Sequence, residues 1–157
     1  MATKALKVVV LGGNGYVGQR IVSCVLRKHA KVVGISRSGA PSKYVTPANL
    51  NDGVTLNWHK ADVFDVASWR QELEGADAVV SCIGAFGSNE FMEKINGDAN
   101  ILAVSEALKA GVPRFVYLST VENNLPDFVL KGYVSQDRRC AVPILQPASR
   151  FCTLATD

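Results

Sequence analysis

A glycine-rich segment near the start of the chain has the spacing of a phosphate-binding turn. Its residues are Gly12, Gly13, Asn14, Gly15, Tyr16, Val17 and Gly18. In such a turn Gly12 permits a tight bend, Gly15 lets the backbone approach a pyrophosphate, and Gly18 lets the following helix pack close to the strand. Backbone N–H groups and the positive end of that helix then bind the anion. The pattern predicts dinucleotide binding, and the alternative is a glycine-rich turn without a ligand.

The residues that end the second predicted strand bear on which dinucleotide binds. An acidic residue there would accept a hydrogen bond from the ribose 2′-OH of NAD, whereas this chain has Ser36, Arg37 and Ser38. A guanidinium binds a phosphate through two charge-assisted hydrogen bonds, and the two hydroxyls lie beside it. The set therefore favours NADP as the cofactor, with NAD as the alternative. The competing interpretation is that Arg37 is merely solvated.

Two further strand ends carry candidate cofactor contacts. Asp62 follows the third predicted strand, where it could accept from an adenine amino group or, equally, cap a helix. Ser81, Cys82, Ile83 and Gly84 end the fourth predicted strand, where the chain would pass beneath the nicotinamide ribose. We include Asp62, Cys82, Ile83 and Gly84 in the predicted cofactor site.

Strands that alternate with helices must position these residues. The β-branched run at 6–11 is typical of a parallel strand that is covered on both faces. Further strands are predicted at 31–35, 55–60, 78–83 and 114–118, and helices at about 15–28, 66–73 and 90–110. This alternation predicts an α/β fold with a doubly wound parallel sheet and right-handed crossovers.

Composition and charge limit the classes of function. The chain has 157 residues, of which 48% are hydrophobic, enough for one globular domain with a buried core. Its 17 basic and 14 acidic residues leave a net charge of only +3, scattered along the chain, so no nucleic-acid partner is expected. No apolar run reaches the roughly 18 residues of a membrane-spanning helix, so no transmembrane segment is predicted.

The cysteines do not have the spacing of a metal site, and two histidines are too few to complete one. We therefore expect no bound metal. Cys24 and Cys82 are predicted to be buried thiols in a reducing compartment.

Together these motifs resemble the atypical short-chain dehydrogenase/reductase superfamily of NAD(P)-binding Rossmann proteins. The resemblance rests on the segments 12–18, 36–39, 81–84, 95–101 and 110–119. Within the superfamily the chain is most similar to an organellar branch. Its members include plastid lipid-droplet proteins, a fungal mitochondrial protein of the ubiquinone-biosynthesis complex and an accessory subunit of respiratory complex I. The segments 84–89 and 130–133 point to that branch.

The resemblance implies a catalytic set of Ser or Thr, Tyr and Lys. Ser119 or Thr120 matches the position that orients a substrate carbonyl, and Tyr133 matches the tyrosine that transfers the proton. The lysine of the family should lie four residues after the tyrosine, where its charge lowers the tyrosine pKa. Asp137 stands there instead, and a carboxylate raises that pKa. Little or no dehydrogenase turnover is therefore expected.

The resemblance covers residues 5 to about 133, which sets the predicted domain boundary. We predict an NAD(P)-binding Rossmann domain at 1–133 and a divergent tail at 134–157. The run 142–147 is similar to the sixth strand of the superfamily. The C-terminal substrate region is expected to be short or missing.

Three functions are compatible with these expectations. The favoured one is an accessory or assembly protein linked to ubiquinone metabolism or the respiratory chain, with protein partners in an organellar complex. Its bound dinucleotide would stabilise the fold or the assembly rather than turn over. The alternative is an active NADP-dependent oxidoreductase that uses Ser119 and Tyr133. A third is a chain that acts through protein contacts alone.

The resemblance also implies a location. It favours the mitochondrion, with plastid or cytosol as alternatives. No targeting segment is visible ahead of the first predicted strand, because only five residues precede the run at 6–11.

Overall fold

A parallel sheet of six strands occupies the centre of the described part of the chain in a computed structural model. The structure describes residues 5–28, 30–45, 54–120 and 150–156, without the side chains of 119–120 and 150–156. The strands are β1 (Lys7–Leu11), β2 (Lys31–Ser36), β3 (Leu56–Lys60), β4 (Ala78–Ser81), β5 (Arg114–Thr120) and β6 (Arg150–Thr156). Every neighbouring pair is parallel, in the order β3-β2-β1-β4-β5-β6. This is the strand order of a Rossmann fold, and it confirms the predicted doubly wound sheet.

Helical segments connect the strands and differ from the prediction in detail. They are α1 (Gly18–Leu26), the 3₁₀ turns Val66–Ser68 and Arg70–Leu73, α2 (Asn89–Met92), the π-helical segment Glu93–Asp98 and α3 (Ala99–Lys109). The first helix begins later than predicted because the residues before Gly18 belong to the glycine turn. The predicted helix at 66–73 is instead two 3₁₀ turns separated by Trp69, whose backbone has a φ of −140°.

The strands bury side chains on both faces of the sheet. Val9 and Leu11 of β1 belong to one apolar cluster, together with Trp69 and residues of α3. Val8 and Val10 of the same strand belong to a second cluster on the opposite face, which includes residues of α1. This alternation follows from the two-residue side-chain period of a strand. The predicted double burial of the first strand is confirmed.

Two predictions concern residues away from the centre of the sheet, namely the burial of Cys24 and a strand at 142–147. The prediction that Cys24 is buried was wrong, since this thiol is exposed. It lies two residues from buried Val22, and on an α-helix that spacing places it on the opposite side from the sheet. The run 142–147, predicted as a sixth strand, lies outside the described residues. That prediction stays untested. Among the described residues a sixth strand, β6, lies at Arg150–Thr156, in parallel register with β5.

Candidate functional site

A cleft of about 540 Å³ lies at the carboxyl ends of β1, β2 and β4. The strand order changes direction beside β1, and ligands of open α/β sheets bind at such a point. The predicted site residues that line the cleft are Gly12, Asn14, Gly15, Ser36, Arg37, Ser38, Asp62, Cys82, Ile83 and Gly84. The structure therefore brings together residues at the ends of four strands, β1 to β4, that are far apart in the sequence.

The glycine turn is held against the neighbouring strand ends. Gly12 has a φ of +75°, and a Cβ there would lie 2.9 Å from the carbonyl oxygen of Cys82. The N–H groups of Gly12 and Gly13 both donate to the carbonyl of Ile35, at 2.8 and 3.2 Å. The N–H of Gly15 donates to Gly12 at 2.9 Å. These glycine N–H groups therefore stabilise the turn itself and are not available to a ligand.

The donors for an anion come from the residues just before α1. Within the described part of the chain, no backbone or side-chain acceptor is bonded to the N–H groups of Tyr16 and Val17. The side chains of Tyr16 and Val17 are both exposed. Four predicted site residues do not line the cleft: Gly13, Tyr16, Val17 and Gly18. A Cβ on Gly18 would collide with the Gly12 carbonyl, so the helix start is pressed against the turn. Free N–H groups at a helix N-terminus fit a bound pyrophosphate.

The Ser36-Arg37-Ser38 segment faces the cleft after β2. Arg37 and Ser38 are exposed, and Ser36 is half-buried with its Oγ accepting from the N–H of Gly39 at 3.2 Å. The amide of Asn14 in the glycine turn donates to Ser38 Oγ at 2.7 Å. A cation and two hydroxyls thus lie at the position where a ribose 2′-substituent would be recognised.

Asp62 was predicted either to accept from an adenine amino group or to cap a helix, and the structure shows features of both. It lines the cleft, and its Oδ1 accepts from the backbone N–H of Phe64 at 3.0 Å, which is a local turn-capping bond. The described residues hold no hydrogen-bond partner for its other oxygen. The carboxylate can therefore cap the turn and still accept from a ligand.

Sequence reasoning missed the groups that hold the loop after β4. Ser81 Oγ donates to Asn100 Oδ1 at 2.5 Å, and Asn100 Nδ2 donates to the carbonyl of Ile83 at 3.2 Å. The side chain of Asn96 bonds both the N–H and the carbonyl of Ala85. Asn96 and Asn100 lie one helical turn apart and are both buried, and two amides at that spacing were the available signal.

Other cleft residues also escaped prediction, because they belong to no recognisable motif. Lys94, on the π-helical segment, lies with Nζ 5.2 Å from the ring centroid of Phe64. Both residues line the cleft, as do Val63, Ala85, Phe91 and Ile95. The rim therefore combines an aromatic face with a second cation besides Arg37.

Cys82 lies in the cleft as an unreactive thiol. Burial raises the pKa of Cys82 from 9.0 to about 12, because a thiolate would be poorly solvated there. This half-buried residue accordingly has no features of a nucleophile.

The implied catalytic set is not assembled among the described residues. Ser119 and Thr120 lie at the carboxyl end of β5, on the same sheet edge as the cleft, but their side chains are not described. Tyr133 and Asp137 lie outside the described residues. Their catalytic roles stay predictions.

No group of three His, Cys, Asp or Glu side chains in the described part of the chain could hold a metal ion. None of the helices that the structure describes is long and apolar enough to cross a membrane.

Comparison with known proteins places this geometry in a family context. The chain matches the model of the NAD dependent epimerase/dehydratase family over residues 8–124. An uncharacterized chloroplastic protein of Arabidopsis thaliana is 43% identical over 145 residues, which cover 90% of this chain and 46% of that protein. MIOREX complex component 2 of Saccharomyces cerevisiae is 36% identical over 87 residues, which cover 54% of this chain and 30% of that protein. The chain thus spans less than half the length of either relative.

A solved structure shares the fold. The Bordetella bronchiseptica enzyme WbmH, in complex with NAD+, matches with a TM-score of 0.71 at 21% identity, over 96% of this chain and 56% of that chain. At this level of identity the match shows a common architecture.

Proposed function

Because the chain belongs to the NAD dependent epimerase/dehydratase family, in line with its resemblance to atypical short-chain dehydrogenases/reductases, we propose that it binds NADP in the cleft beside β1. Bound NADP would supply hydride exchange at its nicotinamide. The accompanying role that we propose is an accessory or assembly one with little turnover. The whole protein would act in an organellar complex.

Dinucleotide binding is supported by the turn and by the related fold. The N–H groups of Tyr16 and Val17 are free to bind a pyrophosphate, and Gly15 presents bare backbone to the cleft. WbmH carries NAD+ on the same architecture. The cleft volume of about 540 Å³ lies within the usual range of ligand pockets, roughly 300–1,000 Å³.

The observation that carries the preference for NADP is the exposed Arg37 between two hydroxyls at the end of β2. A 2′-phosphate brings negative charge and several acceptor oxygens to a guanidinium. The acid in the cleft lining, Asp62, follows β3 rather than β2. A ribose 2′-OH would therefore find no carboxylate at its usual position.

The accessory role is supported by the residue at position 137 and by one relative. Asp137 replaces the lysine that the resemblance implies, and a carboxylate disfavours the ionised tyrosine. The similar yeast protein is named as a component of a complex. The similar Arabidopsis protein is named as chloroplastic, which supports an organellar location and adds weight to the plastid.

Thermal unfolding with NADPH, NADP+, NADH and NAD+ tests the binding proposal. A ligand at a hundred times its Kd adds about 2.7 kcal/mol of stability, which corresponds to an upward Tm shift of about 5–10 °C. We expect the larger shift with the phosphorylated pair. Arg37→Ala should weaken NADPH binding about 10- to 100-fold and leave NADH binding little changed.

Arg27→Ala is the matched control for that experiment. It removes the same charge from an exposed site at the end of α1, outside the cleft lining, and should preserve the preference for NADPH. Absence of a shift with all four dinucleotides would refute cofactor binding. An equal shift with NADH and NADPH would refute only the preference.

Incubating the NADPH-bound protein with a short-chain ubiquinone tests the accessory role. We expect the absorbance of NADPH at 340 nm to persist, because the catalytic set lacks its lysine. Steady consumption of NADPH that disappears in Tyr133→Phe would establish the oxidoreductase instead.

A further inference from the structure

The side-chain amide of Asn14 has one orientation that its neighbours allow. Its Nδ2 lies 3.3 Å from the carbonyl oxygen of Ala40 and 2.7 Å from Ser38 Oγ. A carbonyl oxygen can only accept, so the amide nitrogen and not the amide oxygen must face it. The two protons of Nδ2 are then donated to Ala40 and Ser38, and Ser38 Oγ is an acceptor in this bond.

Ser38 Oγ receives a second hydrogen bond from its own segment. The backbone N–H of Ala40 donates to it at 3.2 Å. A hydroxyl has two acceptor positions and one proton, and both acceptor positions of Ser38 are now filled. The proton must be donated elsewhere, and the exposed Ser38 lines the cleft beside Arg37.

The segment that carries Ser38 is anchored to α1. Ser42 Oγ donates to Gln19 Oε1 at 2.5 Å, and both residues are only 7% exposed. The backbone that places Ser38 and Ala40 around the Asn14 amide is therefore held from two sides. The orientation of the Ser38 hydroxyl exists before any ligand arrives.

We propose that Asn14 is a specificity-determining residue that acts through Ser38, and the inference rests on the proposed binding of NADP. With both acceptor positions occupied, Ser38 can donate to a 2′-phosphate oxygen next to the Arg37 cation. It cannot accept the proton of a ribose 2′-OH, so NAD gains at most one neutral hydrogen bond from Ser38, whereas NADP gains a charge-assisted one. Asn14 thus links the phosphate-binding turn to selection at the 2′-position.

Binding of 2′,5′-ADP and of 5′-AMP, measured by titration calorimetry, isolates this effect. Each probe has a single phosphate at the 5′-position, so the two differ only at the 2′-position. Neither carries a nicotinamide, and the readout is therefore independent of turnover. We expect the wild-type chain to prefer 2′,5′-ADP. Asn14→Asp should reduce that preference about tenfold or more, because its carboxylate captures the Ser38 proton and repels the phosphate.

A double-mutant cycle separates positioning from a general disturbance of the turn. Asn14→Ala and Ser38→Ala should each lower the preference several-fold, and the double variant should lower it no further than Ser38→Ala. 5′-AMP lacks the 2′-phosphate, so its binding should change much less than that of 2′,5′-ADP in all of these variants. A turn that is merely damaged would weaken both probes alike, and that result would overturn the inference.

The ratio of the two affinities in the wild-type chain separates failure of the NADP preference from failure of the role proposed for Asn14. If the wild-type chain binds both probes equally, the preference for NADP fails and the role of Asn14 fails with it. If the wild-type chain prefers 2′,5′-ADP and the Asn14 variants keep that preference, or if the two substitutions add independently, the inference alone is overturned.

Discussion

The side chain of Asn96 pairs with both backbone polar groups of Ala85. The N–H of Ala85 donates to Asn96 Oδ1 at 2.8 Å, and Asn96 Nδ2 donates to the Ala85 carbonyl at 3.0 Å. Asn96 is 1% exposed, so water does not compete for these bonds. The side-chain amide thus satisfies both backbone polar groups of Ala85, as a neighbouring strand would. It thereby fixes the loop after β4 where that loop lines the cleft.

Asn96→Ala should therefore destabilise the fold by about 2–3 kcal/mol, since two hydrogen bonds are lost and the Ala85 groups are left without partners. Urea unfolding gives the free energy, and hydrogen exchange should show faster exchange of the Ala85 amide. Asp98→Ala is the control on the same helical run, because Asp98 is exposed and makes no side-chain capping bond. Equal stability of the two variants would contradict the role of Asn96.

Gly12→Ala should cost more stability than Gly75→Ala. Both glycines have a positive φ, of +75° and +66°, so each substitution carries the strain of a left-handed backbone, about 1–2 kcal/mol. A Cβ at Gly12 would also lie 2.9 Å from the carbonyl oxygen of Cys82, whereas nothing lies within 4 Å of one at Gly75. The clash should add about 1–3 kcal/mol.

Urea unfolding of both glycine variants isolates the contribution of the clash from that of backbone strain. NADPH binding should weaken in Gly12→Ala alone. Similar losses of stability in both variants would show that the turn relaxes away from Cys82.

The buried carboxylate of Glu106 should make stability depend on pH in the acid range. It is 3% exposed and accepts from Lys109 at 2.7 Å and from Arg70 at 2.9 Å. The hydrogen bond from Lys109, opposed by burial and reinforced by Arg70, lowers the pKa of Glu106 from 4.5. Stability from a depressed carboxyl pKa is present above the unfolded value and is lost as pH falls through the folded value.

Glu106→Gln should therefore be less stable than the wild type at pH 7, by about 1–3 kcal/mol. The difference should shrink below about pH 4.5 as the wild-type carboxylate is protonated. Urea unfolding between pH 7 and pH 3 measures it. Glu74→Gln, at an exposed turn, should follow the wild-type profile, and a pH-independent difference for Glu106→Gln would contradict the prediction.

Cys24 and Cys82 should differ sharply in their reaction with iodoacetamide. With a pKa of about 12, Cys82 is ionised in about one molecule in ten thousand at pH 8, and burial limits its access further. Cys24 is exposed on α1 and should be alkylated rapidly. Peptide mass mapping after brief labelling should find modified Cys24 and intact Cys82.

A urea-unfolded sample is the control for that labelling experiment, because both thiols should react there. Comparable labelling of Cys82 in the folded chain would show that the cleft opens to the reagent.

Much of the fold could be read from local patterns. The apolar run at β1, the glycine turn and the spacing of the helices predicted a Rossmann sheet, because a strand buried on both faces and a tight turn each impose residue types on short segments. The segments after β2 and β4 were expected at the site for the same reason, and the cleft contains them. The 3₁₀ turns beside Trp69 were missed, since their sequence differs little from that of an α-helix.

The sequence by itself determined the first five strands and where an anion can meet bare backbone. Only the tertiary structure decided which polar side chains meet. Asn14 lies 24 residues from Ser38, and Arg70 lies 36 residues from Glu106, so the packing of separate elements sets both contacts. Hydrogen bonds require distances within a few tenths of an ångström, and no local pattern encodes that geometry. The selectivity proposed for the cleft therefore resides in tertiary contacts between locally predictable elements.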